Sequence, residues 1–171
     1  MSPRSGIGFD VHRFGTGRRL VLGGVEIPHP RGLAGHSDAD VVIHAVCDAL
    51  LGAAALGDIG LHFPNDDPEW QDADSMALLE RVVEMVGESG WRVENVDATV
   101  VAEAPRIAPH VPEMCRKISR AIGVERDRVS VKATTAEEMG FVGREEGIAA
   151  LATACLVARP SGTAEPSGSY G

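Results

Sequence analysis

One domain that mixes strands and helices is what this sequence predicts, and three observations carry that expectation. The chain has 171 residues with a hydrophobic fraction of 44%, enough to bury a core without help from disulfides. Ile7, Phe9 and Val11 alternate with Gly8, Asp10 and His12, the period-two pattern of a strand with one buried face. From Val41 to Leu56 the chain is almost uniformly apolar and rich in alanine, as expected for a helix buried on most sides.

The remaining elements follow in order. Arg18 to Pro28, with Gly23-Gly24 at its middle, reads as a hairpin. The stretch from Gly32 to Asp38 reads as a loop into the apolar helix, with Ser37 as N-cap and Asp40 in support. Asp40, His44 and Asp48 are spaced by four and stack on one face of that helix. The connection from Gly57 to Asp74 is long for a compact domain, and such loops are usually functional. Met76, Leu79, Val83 and Val86 mark an amphipathic helix that ends near Gly87 to Gly90, and Arg92 to Ala102 has the β-branched density of a strand. Pro112 to Ile122 reads as a helix closed by Gly123, Val129 to Ala133 as a strand, and Gly140 to Gly147 as a glycine-rich loop. Ile148 to Val157 suits either a helix or a fully buried strand, and local pattern leaves both open. Residues 1–158 form the expected domain and 159–171 a disordered tail rich in Pro, Ser and Gly.

The formal charge of -9 argues against nucleic acid as a partner, because phosphate-tracking surfaces are rich in Lys and Arg. Cys47, Cys115 and Cys155 are odd in number and contain no CxxC, so neither a disulfide framework nor a thiolate zinc site is expected. The N-terminus has no signal-peptide core and no apolar run approaches the ~20 residues that span a bilayer. A cytoplasmic protein without a membrane partner is the expectation. An anionic substrate would then need bound cations to offset repulsion.

Asp10 and His12 share one face of a strand, a spacing that suits O and N ligation of a divalent cation. Such a pair alone is more often a surface contact. His44 adds weight, because a histidine inside an apolar helix must find partners, and an unmatched buried polar group costs ~1–3 kcal/mol. A hydrogen bond to Asp40 or Asp48 is the plain alternative. Asp48, one turn on, is also placed to receive the second N–H of a metal-bound His44. Two His and one Asp leave a fourth tetrahedral position free, as in catalytic zinc sites. His36-Ser37 stands at the helix entrance, where backbone N–H groups favour an anion. Thr134-Thr135 offers hydroxyls beside Glu137, although threonines at a strand end are usually turn formers.

Phe9-Asp10-Val11-His12, then 35–40 (Gly-His-Ser-Asp-Ala-Asp) with His44, then 51–60 and Phe63-Pro64, resemble the 2-C-methyl-D-erythritol 2,4-cyclodiphosphate synthase family. Asn95-Val96-Asp97, Ala104-Pro105-Arg106, 131–135 and the run from Gly140-Phe141 through Gly143-Arg144 to Glu146-Gly147 continue the resemblance in order. It covers nearly the whole chain except the tail.

The resemblance implies an α+β fold with a four-stranded sheet backed by helices in a ferredoxin-like arrangement, assembled as a homotrimer, with Ile148 to Val157 as strand. Phe9 and Val11 would then be buried between subunits. It implies ring closure in the non-mevalonate isoprenoid pathway: the 2-phosphate of 4-diphosphocytidyl-2-C-methyl-D-erythritol 2-phosphate attacks its own β-phosphorus and CMP leaves. The nucleophile's second pKa is ~6, so it needs no catalytic Cys or Ser.

By resemblance, Asp10, His12 and His44 bind zinc or another divalent ion, and Glu137 helps place a second, Mg²⁺ or Mn²⁺, between the phosphates. His36 and Thr135 match transition-state stabilisers. Ser37, Asp58, Ile59, Gly60, Phe63 and Asp67 match the methylerythritol phosphate side. Ala102, Ala104, Pro105, Arg106, Ala108, Ala133 and Thr134 match the cytidine side, with Phe141 and Arg144 completing the substrate contacts. Arg144 and Glu146 match positions near the trimer axis. The chain departs from the family at Asn65, where Asp is common, and at Ala136, where a third threonine is common; His62 and Gln71 fall in a variable loop. The competing functions are a metal-dependent phosphohydrolase, in which bound water is the nucleophile, and a scaffold with structural zinc.

Overall fold

A computed structural model describes residues 2–35, 37–64 and 73–159. The expected tail beyond Arg159, together with His36, Asn65, Asp67 and Gln71, lies outside the described residues. The elements run β1 (Arg4–Gly15), β2 (Leu20–Leu22), β3 (Val25–Ile27), β4 (Gly32–Leu33), α1 (Val41–Ala54), α2 (Ile59–His62), α3 (Ser75–Glu88), β5 (Trp91–Val101), α4 (Val111–Ile122), β6 (Val129–Thr134), α5 (Gly140–Gly143) and β7 (Gly147–Ala158).

The domain is α+β, with a mixed sheet of five strands in the order β4-β1-β7-β5-β6. Four of these are the long strands expected; β4 adds a two-residue pair at the edge, Phe14 with Leu33 and Gly15 with Gly32. β7 lies antiparallel to both β1 and β5, while β5 and β6 are parallel, joined by the crossover helix α4. The apolar run at Ile148 to Val157 is therefore a strand, central in the sheet; within one chain its helix-facing side is buried, while Leu151 and Thr153 on the other face are exposed. The β2–β3 hairpin forms separately. Two expected loops carry short helices, α2 and α5.

Helix α1 packs across β1 and β7, α3 packs on α1 and β5, and α4 packs on α3 and β6. Val42, Val46, Leu50, Leu79, Val82, Val100, Ile118, Ile148 and Leu156 fill the layer between helices and sheet. The approach of α1 to β1 is set by glycine. A Cβ on Gly6 would fall 2.1 Å from the carbonyl oxygen of Ala49, and one on Gly8 1.9 Å from that of Ala45. Only hydrogen side chains allow the two backbones this close.

That contact decides which face of β1 is covered. The even positions Gly6, Gly8, Asp10 and His12 face α1, and the apolar odd positions face away, with Ile7 70%, Phe9 54% and Val11 41% exposed. Within one chain the face buried on folding is therefore not the apolar one. Phe9 lies directly opposite Leu151 of β7, itself 39% exposed, so an apolar strip runs over the side of the sheet away from the helices.

The N-terminus of α1 also differs from expectation. Asp40, not Ser37, is the N-cap, and its carboxylate accepts from the N–H groups of Val42 and Ile43. The same carboxylate accepts from Gly23 and Gly24 in the β2–β3 turn, at 2.9 and 2.7 Å. A fully buried carboxylate that satisfies four backbone donors ties hairpin to helix. Ser37 instead accepts from Ala39 N–H at 3.1 Å.

Candidate functional site

Strand β1 and helix α1 bring three ligand atoms together. His44 Nδ1 stands 3.0 Å from Asp10 Oδ2, and His12 Nε2 stands 3.2 Å from the same oxygen. All three atoms lie within 4.8 Å of one another. Strand alternation puts Asp10 and His12 on one face, and the glycine-allowed approach of α1 carries His44 to them. The side chains are only 13–25% exposed.

The polarity of the cluster fits a cation. His12 Nδ1 lies 2.7 Å from the carbonyl oxygen of Ala34, an atom that can only accept. Nδ1 therefore carries hydrogen, and in the neutral ring Nε2 presents a lone pair toward the Asp10 carboxylate. Two acceptors aimed at each other require a positive charge between them. In the metal-free chain a proton serves: the hydrogen bond to Asp10 raises the His12 pKa above its ordinary value, against the opposing effect of burial. Burial would raise the Asp10 carboxyl, but hydrogen bonds from His12 and His44 and their charges outweigh it and hold Asp10 well below the usual carboxylate range. Among the described residues this is the one group of three or more His, Cys, Asp or Glu side chains placed to hold a metal ion.

The outer partner of His44 is not Asp48. Asp48 accepts from Ile59 N–H at 2.8 Å and so anchors the start of α2. Neither is it Asp40, which is occupied by the hairpin. His44 Nε2 instead meets two hydroxyls, Ser75 Oγ at 3.0 Å and Ser37 Oγ at 3.2 Å. Ser75, at the start of α3, carried no signal in the sequence beyond its place after an N-cap aspartate. Arg18 is a second residue that pattern reading passed over. Its guanidinium donates to the carbonyls of Gly35, at 3.0 Å, and Ser37, so it clasps the backbone on both sides of His36.

A second group of candidates gathers elsewhere. Ala102, Pro105, Arg106, Ala108, Ala133, Thr134 and Thr135 line a cavity of about 250 Å³ together with Glu103 and Ile107. The Ala104–Pro105 peptide is cis. Glu103, not anticipated individually, accepts from the N–H groups of Ala136 and Glu138 at 2.9 and 3.2 Å and holds the turn that follows β6. In that turn Thr135 Oγ1 donates to Glu137 Oε1 at 3.1 Å, and Glu137 and Glu138 adopt left-handed backbone, φ 52° and 62°.

The two groups stand apart within one chain. Asp10 pairs with Ala150, Ala150 with Val100, and Val100 with Ala133, three strand spacings or ~14 Å. Glu137 is not part of the metal-ligand cluster. Asp58 caps α2 by accepting from Leu61 N–H, with Ile59 and Gly60 in that helix and Phe63 buried just after it. His62 Nε2 donates to the carbonyl of Leu56 at 2.7 Å, a structural contact. Phe141 is 40% exposed, and Arg144 pairs with Glu146 at 2.7 Å.

Fold and site together define a single-domain α+β protein with a candidate divalent-metal centre between a sheet strand and a buried helix, and a separate cavity at the far edge of the sheet. The profile of the YgbB family matches residues 3–157. The 2-C-methyl-D-erythritol 2,4-cyclodiphosphate synthase of Salinibacter ruber is 64% identical over 154 residues, 90% of this chain and 98% of that protein. The synthase of the same name from Pseudomonas paraeruginosa is 61% identical over 156 residues, 91% of this chain and 99% of that one. Among solved structures, a 2C-methyl-D-erythritol-2,4-cyclodiphosphate synthase with CDP bound superposes with a TM-score of 0.83 at 34% identity, covering 90% of this chain and 100% of that one. The bifunctional IspDF of Campylobacter jejuni superposes with a TM-score of 0.89 at 42% identity over 92% of this chain, which spans 43% of that longer protein. The chain belongs to the YgbB family, the family of the 2-C-methyl-D-erythritol 2,4-cyclodiphosphate synthases. Among the described residues no helix is long and apolar enough to cross a membrane.

Proposed function

We propose that this protein converts 4-diphosphocytidyl-2-C-methyl-D-erythritol 2-phosphate into 2-C-methyl-D-erythritol 2,4-cyclodiphosphate and CMP, in the non-mevalonate route to isoprenoids. An oxygen of the 2-phosphate forms a bond to the β-phosphorus as the bond from that phosphorus to the CMP oxygen breaks. The nucleophile is ionised at neutral pH and the leaving group departs as a phosphate, so the protein must chiefly align the two phosphates and absorb charge.

The observation that carries this reading is the convergence of Asp10, His12 and His44 on one point, with His12 turned by Ala34 so that its free nitrogen faces that point. When bound there, a divalent ion such as zinc supplies Lewis acidity to a phosphate oxygen. Ser37 keeps its hydroxyl beside the cluster for the substrate, and Arg18 fixes the carbonyls of Gly35 and Ser37. Asp58, Ile59, Gly60, Phe63 and Asp67 take the methylerythritol phosphate. The cavity at 102–108 and 133–135 takes the cytidine, consistent with the solved relatives described with CDP. Thr135 and His36 stabilise the charge of the transition state, Glu137 places a second divalent ion, and Phe141 and Arg144 border the substrate.

We place three copies around the apolar strip of Ile7, Phe9, Val11 and Leu151, so that the metal centre of one subunit meets the cytidine cavity of its neighbour. Two half-sites ~14 Å apart in one chain, and large side chains left exposed on a sheet face, both support that assembly. The ferredoxin-like description then applies to the two layers, helices outside and sheets inward, with residues 1–158 as the synthase domain and 159–171 as a tail. Incubation with the cytidine substrate, with and without a chelator, tests the reading: CMP release that stops with chelation and returns with zinc supports it, and CMP release indifferent to chelation overturns it.

A further inference from the structure

The hydrogen-bond chain behind His44 has a direction that its chemistry dictates. Ser75 is fully buried. Its hydroxyl donates to Asp38 Oδ1, and its backbone N–H reaches Asp38 Oδ2 at 3.3 Å. A carboxylate can only accept, and a serine hydroxyl has a single hydrogen. Once that hydrogen is committed to Asp38, Ser75 Oγ offers His44 only a lone pair. The contact of 3.0 Å between Ser75 Oγ and His44 Nε2 then requires hydrogen on Nε2. In the neutral ring this leaves Nδ1 a bare acceptor 3.0 Å from the Asp10 carboxylate, so that, as at His12, a cation must lie between them: a proton on Nδ1 without metal, the metal ion when it is bound. Ser37 Oγ, which also accepts from Ala39 N–H, sits farther from His44 Nε2, at 3.2 Å, and its hydroxyl has no carboxylate partner to fix its direction as Asp38 fixes that of Ser75.

We propose that Ser75 and Asp38 act as positioning residues that set His44 in its metal-binding tautomer. The inference rests on the metal reading given above and assigns the outer partner that reading lacks. It also gives the start of α3 a purpose: the helix is pinned to the metal centre at its first residue, across 31 positions of sequence from His44. Carboxylate–histidine–metal chains commonly contribute 10–100-fold to metal affinity; here a hydroxyl is inserted between carboxylate and ring.

The test is zinc affinity of the full chain without substrate, measured by competition with a chromophoric chelator, for the wild type, Ser75→Ala, Ser75→Thr and Asp38→Asn. Ser75→Ala is expected to bind zinc ~10–100-fold more weakly, Asp38→Asn to weaken it in the same direction, and Ser75→Thr, which keeps the hydroxyl, to recover wild-type affinity. Long-range proton–nitrogen NMR of the zinc-loaded wild type is expected to show His44 with hydrogen on Nε2. Zinc affinity in Ser75→Ala within twofold of wild type overturns the proposal, as does a Ser75→Thr that fails to recover, which would mark a packing defect. If Ser75→Ala does not fold, Asp38→Asn and the His44 tautomer decide alone. A wild type that holds no zinc would instead sink the metal reading itself.

Discussion

His44 Nδ1 lies 3.0 Å from the carboxylate of Asp10 although the two are 34 positions apart in sequence. The contact joins a strand to a helix whose axes can approach this closely only because β1 presents Gly6 and Gly8 to the backbone of α1. The placement of the candidate metal ligands and the packing of the backbone are thus one problem in this fold.

His44→Ala is expected to abolish stoichiometric zinc and with it CMP release, by at least the ~10²–10³-fold that loss of one transition-state charge contact costs. Folding should survive, since the helix keeps its N-cap and apolar contacts. Elemental analysis checks the ligand set: one zinc per chain retained by the variant contradicts it.

Gly8→Ala should be damaging for so small a change. Its Cβ meets the Ala45 carbonyl at 1.9 Å, backbone that cannot turn aside, so α1 must lift from β1. Overpacking of this kind costs about 1–3 kcal/mol or more, a fall in Tm of about 2–12 °C for a chain of this size. The displaced helix should also carry His44 away from Asp10. A thermal scan and a zinc titration check both effects, and a variant that matches the wild type in each contradicts the close packing.

The pH response should reverse with metal. Asp10 in the folded, metal-free chain titrates below its ordinary 3.8, so its stabilisation is present above that value and fades as pH falls through the lowered one. His12 titrates above its ordinary 6.5, so its stabilisation is full below 6.5 and is lost as pH rises through the raised value. The metal-free site therefore stabilises most between these limits. Zinc needs His12 neutral, so the gain in Tm on adding zinc should grow from about pH 5 to 8. A gain that is flat or shrinks over that range contradicts the assignment.

Phe9→Arg places charge on the exposed apolar strip without touching the metal ligands, which lie on the opposite face of β1. Light scattering is expected to show trimers replaced by smaller species, with zinc retained and CMP release lost because the half-sites no longer meet. An active monomer would refute the sharing of sites between subunits.

The sequence revealed much of this through periodicity. Asp10 and His12 could be placed on one face because strand alternation is strict, and His44 stood out because an apolar helix tolerates a polar side chain only with a partner. Which face of β1 the chain itself covers was not legible: the pattern marks Ile7, Phe9 and Val11 as apolar, but it is the absence of side chains at Gly6 and Gly8 that draws in α1. The cap of α1 escaped for a related reason. Ser37, Asp38 and Asp40 are all competent caps, and the choice rests on the N–H groups of Gly23 and Gly24, 17 and 16 residues upstream. Ser75 was invisible because its role depends on a contact between two helix starts. The strand at Ile148 to Val157 needed its two partners, β1 and β5, to be distinguished from a helix.

Phosphorus NMR of the reaction catalysed by zinc- and magnesium-replete protein is the most direct test of the central claim. Intramolecular cyclisation predicts CMP together with a cyclic diphosphate, seen as two mutually coupled phosphorus resonances. CMP together with a linear bisphosphate, its two phosphorus resonances uncoupled, would show that water is the nucleophile and would contradict the account.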